Sequence, residues 1–338
     1  MSRLAKKKTI VVTGGLGFIG SHFVEACLLK GHCVINFDKQ SYAANTGLLF
    51  KGDYHYKKID INDLDKLPCC DVVVNFASET HVDRSIGDCS DFIKSNLLGV
   101  FHLLELLRKK ADSPLESTPL FVQISTDEVF GDQYTDACKE DFRHKPSNPY
   151  AATKSGAEQL LYAWGRTYGI PYIITRSTNT YGLRQHSEKL IPHAIHCISN
   201  GEKIPIHGGG RYIRNWIHIH DSVNALLTIV DKGETGSVYH LASDEDFSVS
   251  EIVQKVCSLM DVCFEDVTDF SSDRPGADVY YALDYSSLCA LGWRQEKTMD
   301  LSLPDLVEKY RKPPKAGETY AMQYKAIGPQ EYSFGTGG

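Results

Sequence analysis

The sequence predicts an α/β protein built on a doubly wound parallel sheet, and three observations carry that expectation. Short apolar runs alternate with helical patterns over the first 178 residues, the first run opens directly into a glycine-rich turn, and the second ends on an aspartate. Beyond about residue 179 the rhythm breaks into short apolar pieces separated by Gly208-Gly209-Gly210, by Gly233 to Gly236 and by residues 273–276. That change predicts a smaller mixed α/β lobe beside the main sheet.

Thr9-Ile10-Val11-Val12-Thr13 is an unbroken apolar run of β-branched residues, the pattern of a strand covered on both faces. A helical pattern follows from Ile19 to Lys30, then a second strand, Cys33 to Phe37. A short strand precedes Asp60, and Asp71 to Phe76, Leu120 to Ile124 and Tyr172 to Thr175 are three more. From Asp91 to Lys110, apolar residues at 92, 93, 97, 100, 101, 104 and 107 predict one helix with a face broad enough for the core or for a partner helix. The organisation expected is residues 1–178 as the dinucleotide-binding part, with later segments rejoining it, 179–311 as the lobe, and 312–338 as a tail.

A formal charge of -7, from 36 basic and 43 acidic side chains, offers no polybasic field, which argues against a nucleic-acid partner. The basic start lacks the apolar segment of a signal peptide, and no run approaches the roughly 18 apolar residues of a membrane span. Ten scattered cysteines without a C-x-x-C pair read as reduced thiols, with no metal site among them, in a cytoplasmic protein.

The first strand runs into Thr13-Gly14-Gly15-Leu16-Gly17-Phe18-Ile19-Gly20, glycines spaced G-x-x-G-x-x-G. Glycine permits the tight turn and close backbone approach that a pyrophosphate at a helix N-terminus requires. Asp38 closes the second strand, where a carboxylate accepts from a ribose 2′-hydroxyl and repels a 2′-phosphate. The pair predicts a Rossmann sheet binding NAD rather than NADP, with Asp60-Ile61 against the adenine.

Tyr150 and Lys154 stand one helical turn apart, with Pro149 suited to start the helix. The same spacing at Tyr54 and Lys58 has no such context and reads as structural. A tyrosine acting as a base near neutrality must fall from pKa about 10 to about 7, roughly 4 kcal/mol. One cation at about 4 Å in an effective dielectric near 20 is worth about that. Lys154 and a positive nicotinamide ring together supply it.

Ser125-Thr126-Asp127-Glu128 ends the apolar run 120–124. A hydroxyl and two carboxyls at a strand end provide the orienting group, proton donor and proton acceptor that loss of water from a carbon skeleton needs. Side chains 127 and 128 would point to opposite faces of a regular strand. If both serve one substrate, the strand must end or twist near Thr126.

Together, Gly14 to Gly20, Asp38, Asn75 to Ser85, Ser125 to Glu128 and the Tyr150/Lys154 pair resemble the extended short-chain dehydrogenase/reductases, and within them the dTDP-glucose 4,6-dehydratases, over residues 9 to about 311. The sharpest discriminator is Thr126-Asp127-Glu128, whose middle aspartate marks the dehydratases where epimerases and decarboxylases of the superfamily carry other residues. The resemblance implies NAD held by Gly14, Gly17, Phe18, Ile19, Gly20, Asp38, Lys39, Asp60, Ile61, Ala77, Ser78, Thr80, Asn96 and Ser125, with Tyr150 and Lys154. It implies a nucleotide-diphosphate glucose held by Ser85, Thr126, Asn179, Lys189, Leu190, Pro205, Ile206, Arg214 and Arg274. Tyr150, aided by Lys154, would take the 4-hydroxyl proton and Thr126 would bond the same oxygen. Glu128 would remove the C5 proton and Asp127 would protonate the departing 6-hydroxyl, leaving a nucleotide 4-keto-6-deoxyglucose with NAD regenerated. A homodimer through residues 91–110 and 151–168 is also implied. Departures cluster in the nucleotide-binding half: Ala277 in place of histidine, Asn215 in place of aspartate, and altered runs at 182–187 and 239–243. UDP-glucose therefore stands as the alternative substrate, ahead of an epimerase or decarboxylase, or an idle NAD-binding protein.

Overall fold

The computed structural model describes residues 7–112, 117–132, 137–270, 275–280 and 282–312. Arg274 and most of the proposed tail lie outside those residues. In chain order the strands are β1 (Thr9–Thr13), β2 (Cys33–Asp38), β3 (Tyr54–Lys58), β4 (Val72–Asn75), β5 (Leu120–Thr126), β6 (Tyr172–Ser177), β7 (Asn179–Tyr181), β8 (Ile204–Ile206), β9 (Ile213–His218), β10 (Val238–Leu241), β11 (Asp246–Ser248) and β12 (Thr268–Phe270).

Seven of these form one parallel sheet in the order β10-β6-β5-β4-β1-β2-β3. The chain winds outward one way from β1 to β3 and the other way from β4, so the crevice beside β1 is a switch point, where such sheets bind ligands. Both faces are covered, as the apolar runs require. Helices Phe18–Leu29 and Ile219–Lys232 bury Phe23, Val24, Val223 and Leu226 on one face. Gly99–Ala111 and Pro149–Tyr168 bury Leu103, Leu104, Leu107 and Leu161 on the other.

The lobe carries a three-stranded sheet, β11-β9-β7, and the pair β12-β8. Its own core packs Ile191, Ile195, Ile252, Val256 and Leu303 from three helices, Leu190–Asn200, Val249–Met260 and Met299–Arg311. Only Thr178 separates β6 from β7, so the chain passes from one sheet to the other across a single residue. It returns to the main sheet with β10, which pairs parallel to β6.

Two local outcomes bear on the site. The helix expected over 91–110 is broken: a short turn Ser90–Phe92 leads into a π turn, Ile93–Leu98, before Gly99–Ala111. A widened turn inserts a residue without disturbing the apolar spacing on either side, which is why periodicity does not reveal it. Tyr54 to Lys58 forms the edge strand β3. At about 3.3 Å per residue its Tyr and Lys lie roughly 13 Å apart and cannot act as a pair.

Candidate active site

A cleft of about 520 Å³ opens at the C-terminal ends of the sheet strands and is closed on its far side by the lobe. At its floor β1 ends in the glycine turn. Gly14 has φ +72°, and a side chain there would meet the Ala77 nitrogen at 2.6 Å. A Cβ on Gly20 would lie 2.3 Å from the Gly14 carbonyl oxygen, so helix and turn pack backbone to backbone. The helix starting at Phe18 has no side-chain cap and no acidic residue in its first turn, so its positive end faces the cleft as a pyrophosphate would need. Asp38 stands at the end of β2, accepting from Leu16 N (2.9 Å) and Gln40 N (2.7 Å), which fixes its carboxylate at the cleft wall. Lys39, Asp60 and Ile61 line the same wall, with Lys39 Nζ 3.7 Å from Asp60 and 3.4 Å from Glu79. These residues suit a dinucleotide: a side-chain-free cradle, an anion-favouring helix end and a fixed carboxylate.

The acid/base segment satisfies the demand that sequence placed on it. β5 stops at Thr126, and Asp127–Phe130 turns at once into a single 3₁₀ turn. Thr126 Oγ1 caps that turn by accepting from Glu128 N at 3.3 Å and donates to Asp127 Oδ1 at 3.0 Å. Thr126, Asp127 and Glu128 consequently all line one cleft. Asp127 is 2% exposed, and its Oδ2 has no partner in the structure. Burial first, and then the charge of Glu128, push its carboxyl up to about 8. The group is therefore a neutral acid at physiological pH. Glu128 accepts from Asn148 Nδ2 at 2.9 Å. Asn148 also caps the helix of Tyr150 through Ala151 N, tying the carboxylate to that helix.

Tyr150 and Lys154 follow on the buried face of that helix. The pair does not behave as simple proximity implies. Lys154 Nζ donates to the Ile124 carbonyl at 2.6 Å, and burial lowers its pKa to about 8. The Tyr150 hydroxyl is pushed upward, by burial and then by the charge of Glu128. The protein groups alone thus move the tyrosine away from neutrality, because burial of the phenolate and the nearby Glu128 charge outweigh the lowering by its hydrogen bond with Thr126. A cation entering the cleft has to supply the opposing effect.

Of the remaining expected residues, Gly17, Ile19, Ala77, Ser78, Thr80, Ser125, Asn179, Lys189, Leu190, Pro205 and Arg214 line the cleft. Three do not. Ser85 is buried behind the wall and accepts from Tyr150 N at 3.2 Å, so it sets the tyrosine's backbone. Asn96, in the π turn, joins Ser78, Glu79 and Thr153 and thereby holds the loop after β4. Ile206 points into the lobe core, opposite Pro205, as adjacent strand residues must. Sequence reasoning missed Asn148, although Asn-Pro before a helix is a visible cap signal. It also missed Asp278, a buried cleft residue with Oδ1 unpartnered, which burial raises to about 6. Arg214 donates to the Asp278 carbonyl at 2.7 Å. The one group of three metal-type ligands among the described residues, Cys33, Asp53 and His55, lies at the opposite end of the sheet, with Lys7 on the Asp53 carboxylate.

A parallel sheet with a dinucleotide cradle, a Tyr/Lys pair and a neutral acid beside a carboxylate defines a nucleotide-cofactor enzyme equipped for proton transfer as well as redox chemistry. The family model described as GDP-mannose 4,6 dehydratase matches residues 11–305, and the chain belongs to that family of sugar-nucleotide dehydratases. It is 38% identical to a dTDP-glucose 4,6-dehydratase of Haemophilus influenzae over 89% of this chain and 97% of that one. It is 34% identical, over 91% of its length, to 47% of a trifunctional Arabidopsis thaliana protein whose activities include UDP-glucose 4,6-dehydratase. Among solved structures, a dTDP-glucose 4,6-dehydratase of Streptomyces venezuelae with NAD bound superposes with a TM-score of 0.85 at 31% identity, covering 90% of this chain and 97% of that one.

Proposed function

We propose that this chain is an NAD-dependent nucleotide-sugar 4,6-dehydratase, a hydro-lyase that converts dTDP-glucose to dTDP-4-keto-6-deoxyglucose and water. The observation that carries the reading is the buried, unpartnered Asp127 carboxyl beside Glu128 in the cleft of the dinucleotide cradle. Hydride leaving C4 would be held by bound NAD and returned to C6 after water has left, with C5 regaining a proton, so the cofactor's net oxidation state is unchanged. Tyr150 accepts the proton of the 4-hydroxyl, with Lys154 beneath it and Thr126 bonding the same oxygen. The 4-ketone makes the C5 hydrogen acidic, and Glu128 removes it. Asp127 gives its proton to the 6-hydroxyl, which leaves as water. An acid neutral up to about pH 8 is what expelling hydroxide from a sugar at neutral pH requires.

dTDP-glucose is favoured by the relatives covered along nearly their whole length, and UDP-glucose by the plant relative. Initial rates with the two nucleotides side by side decide between them. Glucose nucleotide deuterated at C4 should yield product labelled at C6, and turnover in heavy water should place deuterium at C5. A wild-type protein that releases no 4-keto-6-deoxy product from either nucleotide would remove the reading. A homodimer through residues 91–110 and 151–168 rests on Leu98 and Phe101 of the first segment and Tyr168 of the second, all exposed. Sedimentation at a single monomer mass would refute it. A cytoplasmic setting is proposed from ten cysteines without a disulfide and from the lack of any membrane-length apolar helix among the described residues.

A further inference from the structure

Behind the acid/base turn lies a charged pair that the chemistry above does not use. Glu158 is fully buried and sits one helical turn beyond Lys154 and two beyond Tyr150. Its carboxylate accepts from Arg176 Nη2 at 2.7 Å and from Arg176 Nε at 3.2 Å. It also accepts from the hydroxyl of Ser125, the residue just before the Thr126 cap. Arg176, on β6 and 1% exposed, holds its guanidinium carbon 4.8 Å from the ring centre of Phe130. Phe130 is fully buried and ends the turn that begins at Asp127. The rest of the guanidinium is satisfied by the Glu140 carbonyl (2.8 Å), Tyr162 Oη (3.2 Å), His144 Nε2 (2.9 Å) and His240 Nε2 (3.4 Å). Burial lowers the pKa of both histidines, so they meet the arginine as neutral acceptors.

We propose that the Glu158–Arg176 pair is a positioning unit that clamps both ends of the Ser125–Phe130 segment, and so sets Asp127 and Glu128 against the helix bearing Tyr150 and Lys154. Glu158 grips the near end through Ser125, and Arg176 grips the far end through Phe130. Because the pair is anchored on the redox helix and on β6, it fixes the relation between two sets of groups that act on adjacent sugar carbons. Replacing such a pair by apolar residues is often neutral for stability, so its presence is better explained by the geometry it enforces. This inference rests on the dehydratase reading.

The test separates oxidation from elimination at saturating NAD. Ser125→Ala releases the near end, Phe130→Leu the far end, and Glu158→Gln removes the charge that holds both Ser125 and Arg176. Single-turnover absorbance at 340 nm follows oxidation, and product analysis follows water loss. A misplacement near 1 Å costs up to about 100-fold. Elimination is expected to slow by about 10-fold in the two end variants and by up to about 100-fold in Glu158→Gln. In Phe130→Leu and Glu158→Gln, oxidation and KM should stay within about twofold, so that 340 nm absorbance accumulates where the wild type shows little; Ser125→Ala, whose residue also lines the cofactor cleft, is read by a fall in the ratio of elimination to oxidation. Equal slowing of both steps would mark the pair as merely structural, and unchanged elimination in the two end variants would remove the clamp. Either result overturns the proposal. If Glu158→Gln fails to fold, Ser125→Ala and Phe130→Leu decide the matter. Loss of the dehydratase reading would instead appear as an inactive wild type.

Discussion

Replacing Asp127 by asparagine should make the protein more stable while nearly abolishing water loss. The folded carboxyl keeps its proton up to about pH 8, against an ordinary 3.8. At pH 7 the unfolded chain has therefore released a proton that the folded chain retains. The position carries no penalty below pH 3.8 and costs more stability as pH rises toward and through about 8. At 1.36 kcal/mol per pH unit, the cost at pH 7 is about 4 kcal/mol before relaxation of the site, and about 1–4 kcal/mol is a realistic range. Asparagine has nearly the same shape, and its carbonyl can still accept from Thr126. Its amide would occupy the place of the unpartnered Oδ2 and add one buried N–H donor there, which trims the gain without changing its dependence on pH. Urea unfolding at pH 5, 7 and 8 should show Asp127→Asn more stable than wild type, by a margin that widens with pH. Elimination should fall by about 100-fold or more, the contribution expected of a positioned acid. A variant less stable at pH 7, or a margin that does not grow between pH 5 and 8, would show that Asp127 is not held as a buried neutral acid.

Other expectations follow from the same geometry. The wild-type elimination rate should decline above about pH 8 as Asp127 loses its proton, and the residual rate of Asp127→Asn should lack that limb; a limb common to both would assign it to another group. Tyr150→Phe should cut oxidation by about 100-fold or more, read at 340 nm, and a normal absorbance rise would show that the phenol is not the base. Gly20→Ala forces a Cβ to within 2.3 Å of the Gly14 oxygen, so NAD affinity measured by calorimetry should drop about 10-fold or more. Unaltered affinity would place the pyrophosphate elsewhere.

The parts of the site that sequence made legible are those encoded by neighbours along the chain. The glycine turn, Asp38, the strand-end carboxyls and Tyr150/Lys154 each lie within one strand, turn or helix, and their spacing states their geometry. The need for β5 to end at Thr126 followed from strand alternation alone, and the 3₁₀ turn meets it. What sequence left hidden depends on distance along the chain. Ser85 and Tyr150 are brought together across 65 residues, and Asn96 reaches the loop after β4 only because a π turn redirects it. Charge balance was also illegible. A Lys one turn from a Tyr looks sufficient to acidify it, yet the depth of the cleft and the closeness of Glu128 reverse the outcome.

The late return of β10 constrains how the chain can fold. The sheet's outer strand, Val238–Leu241, is made some 60 residues after β6, with β7, β8, β9 and the helices Leu190–Asn200 and Ile219–Lys232 in between. A ribosome-bound nascent chain ending near residue 178 would present β6 as a naked edge, an invitation to mispairing with other chains. The two lobes must therefore mature together, and long-range pairing of this kind is slow. Truncation at the apparent boundary should give an aggregation-prone product. A chain carried through Leu241 is the shortest that completes the sheet.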